Sequence, residues 1–368
     1  MNTLNLRWTP ASGWSGDGAL ADAQLVLVFG EHAHFRDAAC FTELRARFPK
    51  AILFGCSSSG TVHGAEITDG DVVATAVHFE RGRVQMVSAS IGPDDDARAV
   101  ARTLAAKIAA PDLRHALVLC DGLSINATQL ALGLSESGVP VTGGLAGDAD
   151  RFISTWVMAD APAQRNQVAL VGISGDVAIK STYSTGWTEF GAERLVTRSA
   201  GKVVHEIDGQ PALALYKRYL CDLAATLPAS GMRFPLSIVT QDGKHTLTRT
   251  LLAVNEAEQS LTFAGDVPQG SRCRLMRTNL DSLVESADEA AREASEGEGS
   301  GLAMVFSCVG RRIVLGQLAE EELEAVQRRM GPRMPLAGFY SYGEIAPIHG
   351  FQACDLHNQT MCLTTIRE

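Results

Sequence analysis

One pattern constrains this 368-residue chain more than any other: it occurs three times. Each occurrence reads strand, helix, strand, glycine turn, strand. The first takes residues 25–29 (LVLVF), 37–48, 51–54, 55–60 and 71–79 in those roles. The second takes 116–120 (ALVLC), 128–137, 140–142, 143–148 and 168–173. The third takes 302–307 (LAMVFS), 319–330, 334–337, 338–344 and 361–366. Short apolar, β-branched runs bounded by turn residues read as buried strands. Parallel strands joined by a helix need a right-handed crossover. The expected fold class is α/β (mixed α+β), built from repeated units. Ligand crevices in such sheets lie outside the carboxyl ends of strands, where the glycine turns fall. Glycine also permits positive φ and a close approach of backbones. Any one such turn is explained by chain reversal alone; recurrence at three matching places weakens that explanation.

Between the second and third occurrences the texture changes. Pro211 near a first turn predicts a helix over 211–223. Residues 234–277 alternate short apolar runs with the turn pairs Asp242-Gly243, Gly265-Asp266 and Gln269-Gly270, which predicts antiparallel strands. Residues 279–294 read as an amphipathic helix, and 296–301 (EGEGSG) as a flexible link. We expect an N-terminal extension over 1–21, an N-terminal domain over 22–205 and a C-terminal domain over 206–368.

Composition narrows the partners. Lys+Arg is 32 and Asp+Glu is 42, a net charge of −10. Nucleic acids and anionic membranes both attract basic surfaces, so neither is expected as a partner. Residues 1–17 lack the basic-then-apolar order of an export signal, and no apolar run is long enough to span a bilayer. A cytoplasmic protein with eight reduced, mostly buried cysteines is the expectation.

Familiar catalytic signatures are missing. Gly55 to Gly60 has the glycine spacing of a phosphate loop, but Thr61 stands where lysine is needed. No GxGxxG opens a helix after the first strand, and GxSxG, CxxC, HExxH and CxxCH are absent. Cys56 ends a buried strand beside Ser57; an inert small residue is favoured there over a nucleophile. Cys354, His357 and Cys362 offer three metal ligands, with His349 as a fourth; a structural role is favoured because zinc sites need turn-forming spacers. Glu31, His32 and His34 read as a solvated loop, and Asp94–Asp96 as a helix-start cap. Trp187 and Phe190 suit a pocket wall as well as a core. Arg311 and Arg312 follow a strand end, where guanidiniums grip a carboxylate bidentately; an ion pair with the acidic helix around Glu320–Glu324 is an equal reading. Glu344, beside Tyr340, Ser341 and Tyr342, suits an amine, and His357, Asn358, Gln359 and Thr360 add polar side chains before the last strand.

These residues carry a resemblance. The run 55–60 followed by 69–79, then 143–148, Gly186-Trp187 and 203–216 with its IDGQPA core, resembles the first half of a FIST protein. The runs 306–311, 338–344 and 357–360 are similar to its C-terminal half. The resemblance implies a non-enzymatic intracellular sensory protein that binds a small ligand such as an amino acid. It also implies a separate signalling partner, since no kinase, cyclase or receiver segment accompanies the pattern. Some similar proteins carry haem and sense nitric oxide with a histidine kinase or a cyclic-di-GMP enzyme, so haem is the alternative cofactor and otherwise none is required. No catalytic residues carry over. The expected ligand-binding residues are Cys56, Ser57, Gly143, Gly144, Asp148, Arg311, Tyr340, Glu344, His357 and Asn358. Arg311 would hold a carboxylate, Glu344 an amine, and the glycine-turn amides the remaining acceptors. A haem sensor, a thiol enzyme acting through Cys56 or Cys308, and a scaffold without ligand are the competing readings.

Overall fold

The computed structural model describes every residue except 17, 93, 241, 242, 244, 298 and 349–352. His349, Asp242 and Glu298, singled out above, therefore lie outside the described residues. The first unit runs from β1 (Asn2–Thr9) and β2 (Gly13–Ser15) through β3 (Leu25–Gly30), α1 (His32–Arg36), α2 (Ala39–Arg47) and β4 (Ile52–Ser57). It continues through β5 (Thr61–His63) and β6 (Glu66–Thr68) to β7 (Val72–His78). The second unit runs through β8 (Gly82–Ser90), α3 (Ala97–Ile108), β9 (Leu113–Cys120), α4 (Ala127–Ser135), β10 (Val141–Leu145), β11 (Val157–Ala159) and β12 (Gln167–Gly175).

The third unit opens with β13 (Ala178–Ser184) and is then interrupted. The interruption holds β14 (Thr188–Ala200), β15 (Val203–Ile207), β16 (Gln210–Pro211), α5 (Ala212–Leu220), β17 (Leu236–Val239), β18 (Thr246–Arg249), β19 (Leu251–Asn255), β20 (Ser260–Phe263) and β21 (Arg272–Arg277). These strands make an antiparallel sheet in the order β18-β17-β21-β14-β15-β20-β19, with β16 beside β15. The unit resumes with α6 (Leu280–Ser295), β22 (Gly301–Cys308), α7 (Val309–Leu315), α8 (Ala319–Met330), β23 (Leu336–Ser341), β24 (Glu344–Pro347), β25 (Cys354–His357) and β26 (Met361–Arg367).

Each unit builds the same sheet. Its first and second long strands are parallel: β3 with β4, β9 with β10, β22 with β23. Its third returns antiparallel beside the first: β7, β12 and β26. Beyond the third lies the strand that opens the unit: β1, β8 and β13. The remaining edge is filled from outside. Strand β5 leaves the first unit to pair with β23 of the third. Strand β11 leaves the second to pair with β4 of the first. Strand β24 leaves the third to pair with β10 of the second. The exchange is cyclic, so no unit completes its own sheet.

The alternation of side chains explains the packing. Leu25, Leu27 and Phe29, Leu117 and Leu119, and Leu302, Met304 and Phe306 face one shared core at the centre of the three sheets. The residues between them face outward under helices: Val26 and Val28, Val118 and Cys120, Ala303 and Val305. Strands buried on both faces read as continuous apolar runs, which is the pattern seen in the sequence. Three helices start on side-chain caps: Asp96 accepts from the Arg98 and Ala99 N–H groups, Asn126 from Gln129 and Asn279 from Ser282.

Three sequence expectations differ from this picture. The insertion lies within the third unit, because β13 precedes it and pairs with β26. Residues 2–15 are not a bare extension: Leu6 is buried, and β1 seals the free side of β7. His32 and His34 lie in α1, where His34 Nε2 meets the Gly70 carbonyl 2.9 Å away and His32 meets Glu31 and Arg151.

Candidate functional site

Gly55, Gly143 and Gly338 occupy one equivalent place, each opposite a valine of its parallel neighbour. A Cβ at these positions would lie 1.9, 1.8 and 1.8 Å from the carbonyl oxygens of Val28, Val118 and Val305. The close approach expected of these glycines is real, but it is to the protein's own strand.

Just beyond, the three glycine turns meet. Ser59 N–H donates to the Tyr340 carbonyl (2.8 Å), and Tyr340 N–H to Gly60 (2.8 Å). Gly147 N–H donates to Ser57 (3.0 Å), and Leu145 N–H to Gly343 (2.9 Å). Ser57, Gly144, Asp148, Tyr340 and Glu344 lie in or beside these turns, all buried. Cys56 lies in the shared core, and Gly143 in the β10 ladder. His357 sits opposite Glu344 in the β24–β25 ladder, and Asn358 follows it.

The polar groups expected to grip a ligand are mostly engaged inside the fold. Arg311 does bind a carboxylate, but it belongs to Glu322 of α8, at 2.9 Å. Its other donors reach the Thr185 and Leu283 carbonyls at 2.6 and 2.8 Å. This is the ion pair with the acidic helix, buried rather than on the surface. Arg312 reaches Asp69 and the Ser59 carbonyl. The Tyr340 hydroxyl donates to Glu322 (2.8 Å). The Glu344 carboxyl accepts from the Ser341 and Thr360 hydroxyls, both at 2.6 Å. Burial outweighs those bonds and raises its pKa to about 8. Ser57 Oγ accepts from the Trp156 N–H (3.0 Å). His357 faces the Ala346 carbonyl, and Asn358 Nδ2 donates to the His357 carbonyl, while Asn358 Oδ1 has no partner among the described residues.

Cys56 and Cys308, the two thiols of the enzyme reading, are both buried. Burial pushes Cys56 and Cys308 well above the ordinary thiol value. Among the described residues no three His, Cys, Asp or Glu side chains gather as a metal site.

Next to the knot of turns lies a cavity of about 450 Å³, within the range of small-ligand sites. Its walls come from three parts of the chain. The loop from β9 into α4 supplies Gly122 to Thr128; the glycine turns supply Leu145 and Tyr342, with Phe152 beyond them; the inserted sheet supplies Ala200 to Lys202, Leu252 and Ala264 to Asp266. The first wall is shaped by Asp121, whose carboxylate accepts from the Leu123, Ser124 and Asn166 N–H groups and from the Thr155 hydroxyl. Gly122 is required there, since a Cβ would stand 2.1 Å from the Ala146 carbonyl. Asp266 is docked by Thr128 Oγ1, which accepts its N–H at 3.1 Å, and by Gln129 Nε2 at 3.2 Å. In this lining Lys202 is the cation and Asp266 the carboxylate. Of the residue types that bind haem iron the lining holds no His, Cys or Met, and its tyrosine, Tyr342, has its hydroxyl engaged by Asp148 and the Ala149 carbonyl.

The floor joins two units. Asp148 accepts from the N–H groups of Phe152 (2.9 Å), Ile153 (2.8 Å) and Ser154 (2.8 Å) and from the Tyr342 hydroxyl. Burial works against its charge, but these four bonds prevail and hold its pKa below the usual carboxylate value. Phe152 stacks on Tyr342 with centroids 4.5 Å apart.

Of the expected residues, Asp148 alone supports this floor directly. Sequence reasoning missed Gly122, Asn126, Thr128, Phe152, Lys202 and Asp266. A signal existed for the first three: Cys120-Asp121-Gly122 ends a first strand, and the strand-end rule applies there as well as at the second strand. Lys202 and Asp266 reach the cavity only through the placement of the insertion.

The FIST N domain profile matches residues 24–210, and the FIST C domain profile matches 212–347. The chain belongs to the FIST family. FIST domains are sensory, small-ligand domains of signalling rather than a catalytic kind. An uncharacterized protein of Methanocaldococcus jannaschii is 24% identical over 310 residues, 76% of this chain. The chain spans 59% of that relative's length. An uncharacterized protein of Mycobacterium tuberculosis is 24% identical over 359 residues, covering 92% of this FIST chain and 90% of its own. One of Mycobacterium bovis is 24% identical over 236 residues, 61% of this chain and 60% of its own. Among the described residues no helix is long and apolar enough to cross a membrane.

Proposed function

We propose that this FIST protein is a cytoplasmic, non-enzymatic sensor whose ligand, a small zwitterion such as an amino acid, occupies the cavity between the β9–α4 loop, Tyr342 and the inserted sheet. The observation that carries the reading is the lining itself: a ligand-sized cavity at a strand's carboxyl end, with one ammonium, Lys202, and one carboxylate, Asp266. Lys202 takes the ligand's carboxylate and Asp266 its amine, the roles the sequence assigned to Arg311 and Glu344. Ser124, Asn126 and Thr128 supply neutral polar contacts.

Signalling follows from the three origins of the walls. A ligand touching the second unit, the third unit and the insertion together favours the arrangement in which all three are in place. Only such a difference in affinity between arrangements shifts a population. The output passes to a separate partner, and a histidine kinase or a cyclic-di-GMP enzyme is the first class to assay. Thermal-shift and calorimetric titration against an amino-acid panel tests the ligand reading. We expect a raised melting temperature with at least one amino acid, lost in Lys202→Ala and Asp266→Ala. A wild-type protein unmoved by every amino acid would rule out the zwitterion.

A further inference from the structure

We infer that the cavity selects zwitterions carrying a planar ring, with Phe152 as the contact and Asp148 as the positioning residue. The inference rests on the ligand reading above and deepens it. Phe152 is 40% exposed although its ring lies parallel to Tyr342, at an interplanar angle of 9°. Both residues line the cavity. The Tyr342 hydroxyl is already committed to Asp148 and to the Ala149 carbonyl, so the tyrosine offers the cavity its apolar body. Leu123, Ile125 and Leu252 extend that apolar surface.

The loop that carries Phe152 is held in a conformation that residues with a Cβ rarely adopt. Ala149 has φ +65° and Phe152 has φ +52°. Such backbone persists only where the surroundings over-determine it. Here the agent is the Asp148 carboxylate, which gathers three successive N–H groups of the loop and, from another unit, the Tyr342 hydroxyl. One side chain thus fixes both members of the aromatic pair. A ring in the ligand adds to the pair by offset or edge-to-face contact, while Lys202 and Asp266 hold its charged end.

Calorimetric titration of the full chain with phenylalanine, tyrosine and tryptophan, against leucine and alanine, tests this. We expect at least one aromatic amino acid to bind about tenfold more tightly than leucine, the factor of one aromatic contact. Phe152→Ala, on an exposed loop, should still fold and should reduce that ratio to about twofold or less, its loss falling more heavily on the aromatic amino acid than on leucine. Asp148→Asn should reduce the same ratio, a selectivity readout that loss of stability does not mimic; if it fails to fold, Phe152→Ala decides. Leucine binding as tightly as every aromatic amino acid, or an unchanged ratio in Phe152→Ala, overturns the inference and leaves the zwitterion reading standing. Binding of none of the five overturns the inference, and the zwitterion reading falls with it only if every other amino acid of the panel also fails to bind.

Discussion

Arg311 Nε and Nη2 both donate to one oxygen of the Glu322 carboxylate, at 3.0 and 2.9 Å, and neither side chain has any exposure to solvent. Buried pairs are weak contributors when whole and costly when halved, because the survivor is a desolvated charge. Glu322→Gln should therefore lower the unfolding free energy by about 3–5 kcal/mol in urea titration. Arg311→Met should cost at least as much, since it also strands the Thr185 and Leu283 carbonyls. A loss of under about 1 kcal/mol for Glu322→Gln, the scale of an exposed pair, would contradict this burial.

The three strand glycines should be equally intolerant. Alanine at Gly55, Gly143 or Gly338 would press a Cβ into a backbone carbonyl, which cannot swing aside as a side chain can. Each substitution should cost about 3 kcal/mol or more, the upper end of overpacking penalties. Gly138→Ala has open space around it and carries only the penalty of its φ of +70°, about 1–2 kcal/mol. Chemical denaturation of the four variants checks the order; equal losses would refute it.

Glu344 gives stability a pH dependence of unusual sign for a carboxyl. It titrates near 4.5 when exposed and near 8 in the fold, because burial penalises the charged form. Between those values the folded chain keeps a proton that the unfolded chain has lost. Its stabilising contribution is complete below about 4.5 and is lost as pH rises towards 8, with a limiting slope of about 1.4 kcal/mol per unit. Glu344→Gln cannot titrate. Relative to that variant, the wild type should lose up to about 4 kcal/mol between pH 5 and pH 8. Parallel curves for the two proteins across this interval would refute the assignment.

Thiol labelling should be selective. Of the eight cysteines Cys221 is exposed and the other seven are buried. Burial also raises Cys40 to about 12. Native protein treated with iodoacetamide at neutral pH should take up one label, at Cys221, and the rest only after denaturation. Mass spectrometry showing native-state labelling at Cys56 or Cys308 would revive the thiol-enzyme reading.

How much of this was legible in the sequence depends on the range of the interaction. The three sheets were, because LVLVF, ALVLC and LAMVFS announce strands buried on both faces and the helices between them follow a local period. The cap at Asp96 was legible for the same local reason, whereas Asn279, read as the first helical residue, is the cap. The cyclic exchange was not, since β5, β11 and β24 are three or four residues long and nothing in so short a run names its partner. The site suffered likewise. Arg311 and Glu344 have the chemistry of ligand-binding groups, and only their burial shows what they bind. Lys202 has no local mark and Asp266 reads only as part of a turn; the fold carries both to the cavity from the insertion.

The exchange of strands also bears on how the chain is made. Synthesis delivers Thr61 long before Phe339, its ladder partner, and Gly143 long before Ile345. A nascent chain therefore emerges with two open sheet edges, each an invitation to wrong pairing. Strands β23 and β24 close them, and the Glu368 carboxylate reaches back to the amino group of Met1 at 3.3 Å. Until residues 336–347 are made, the early strands β5 and β10 have no partner for those edges within the chain.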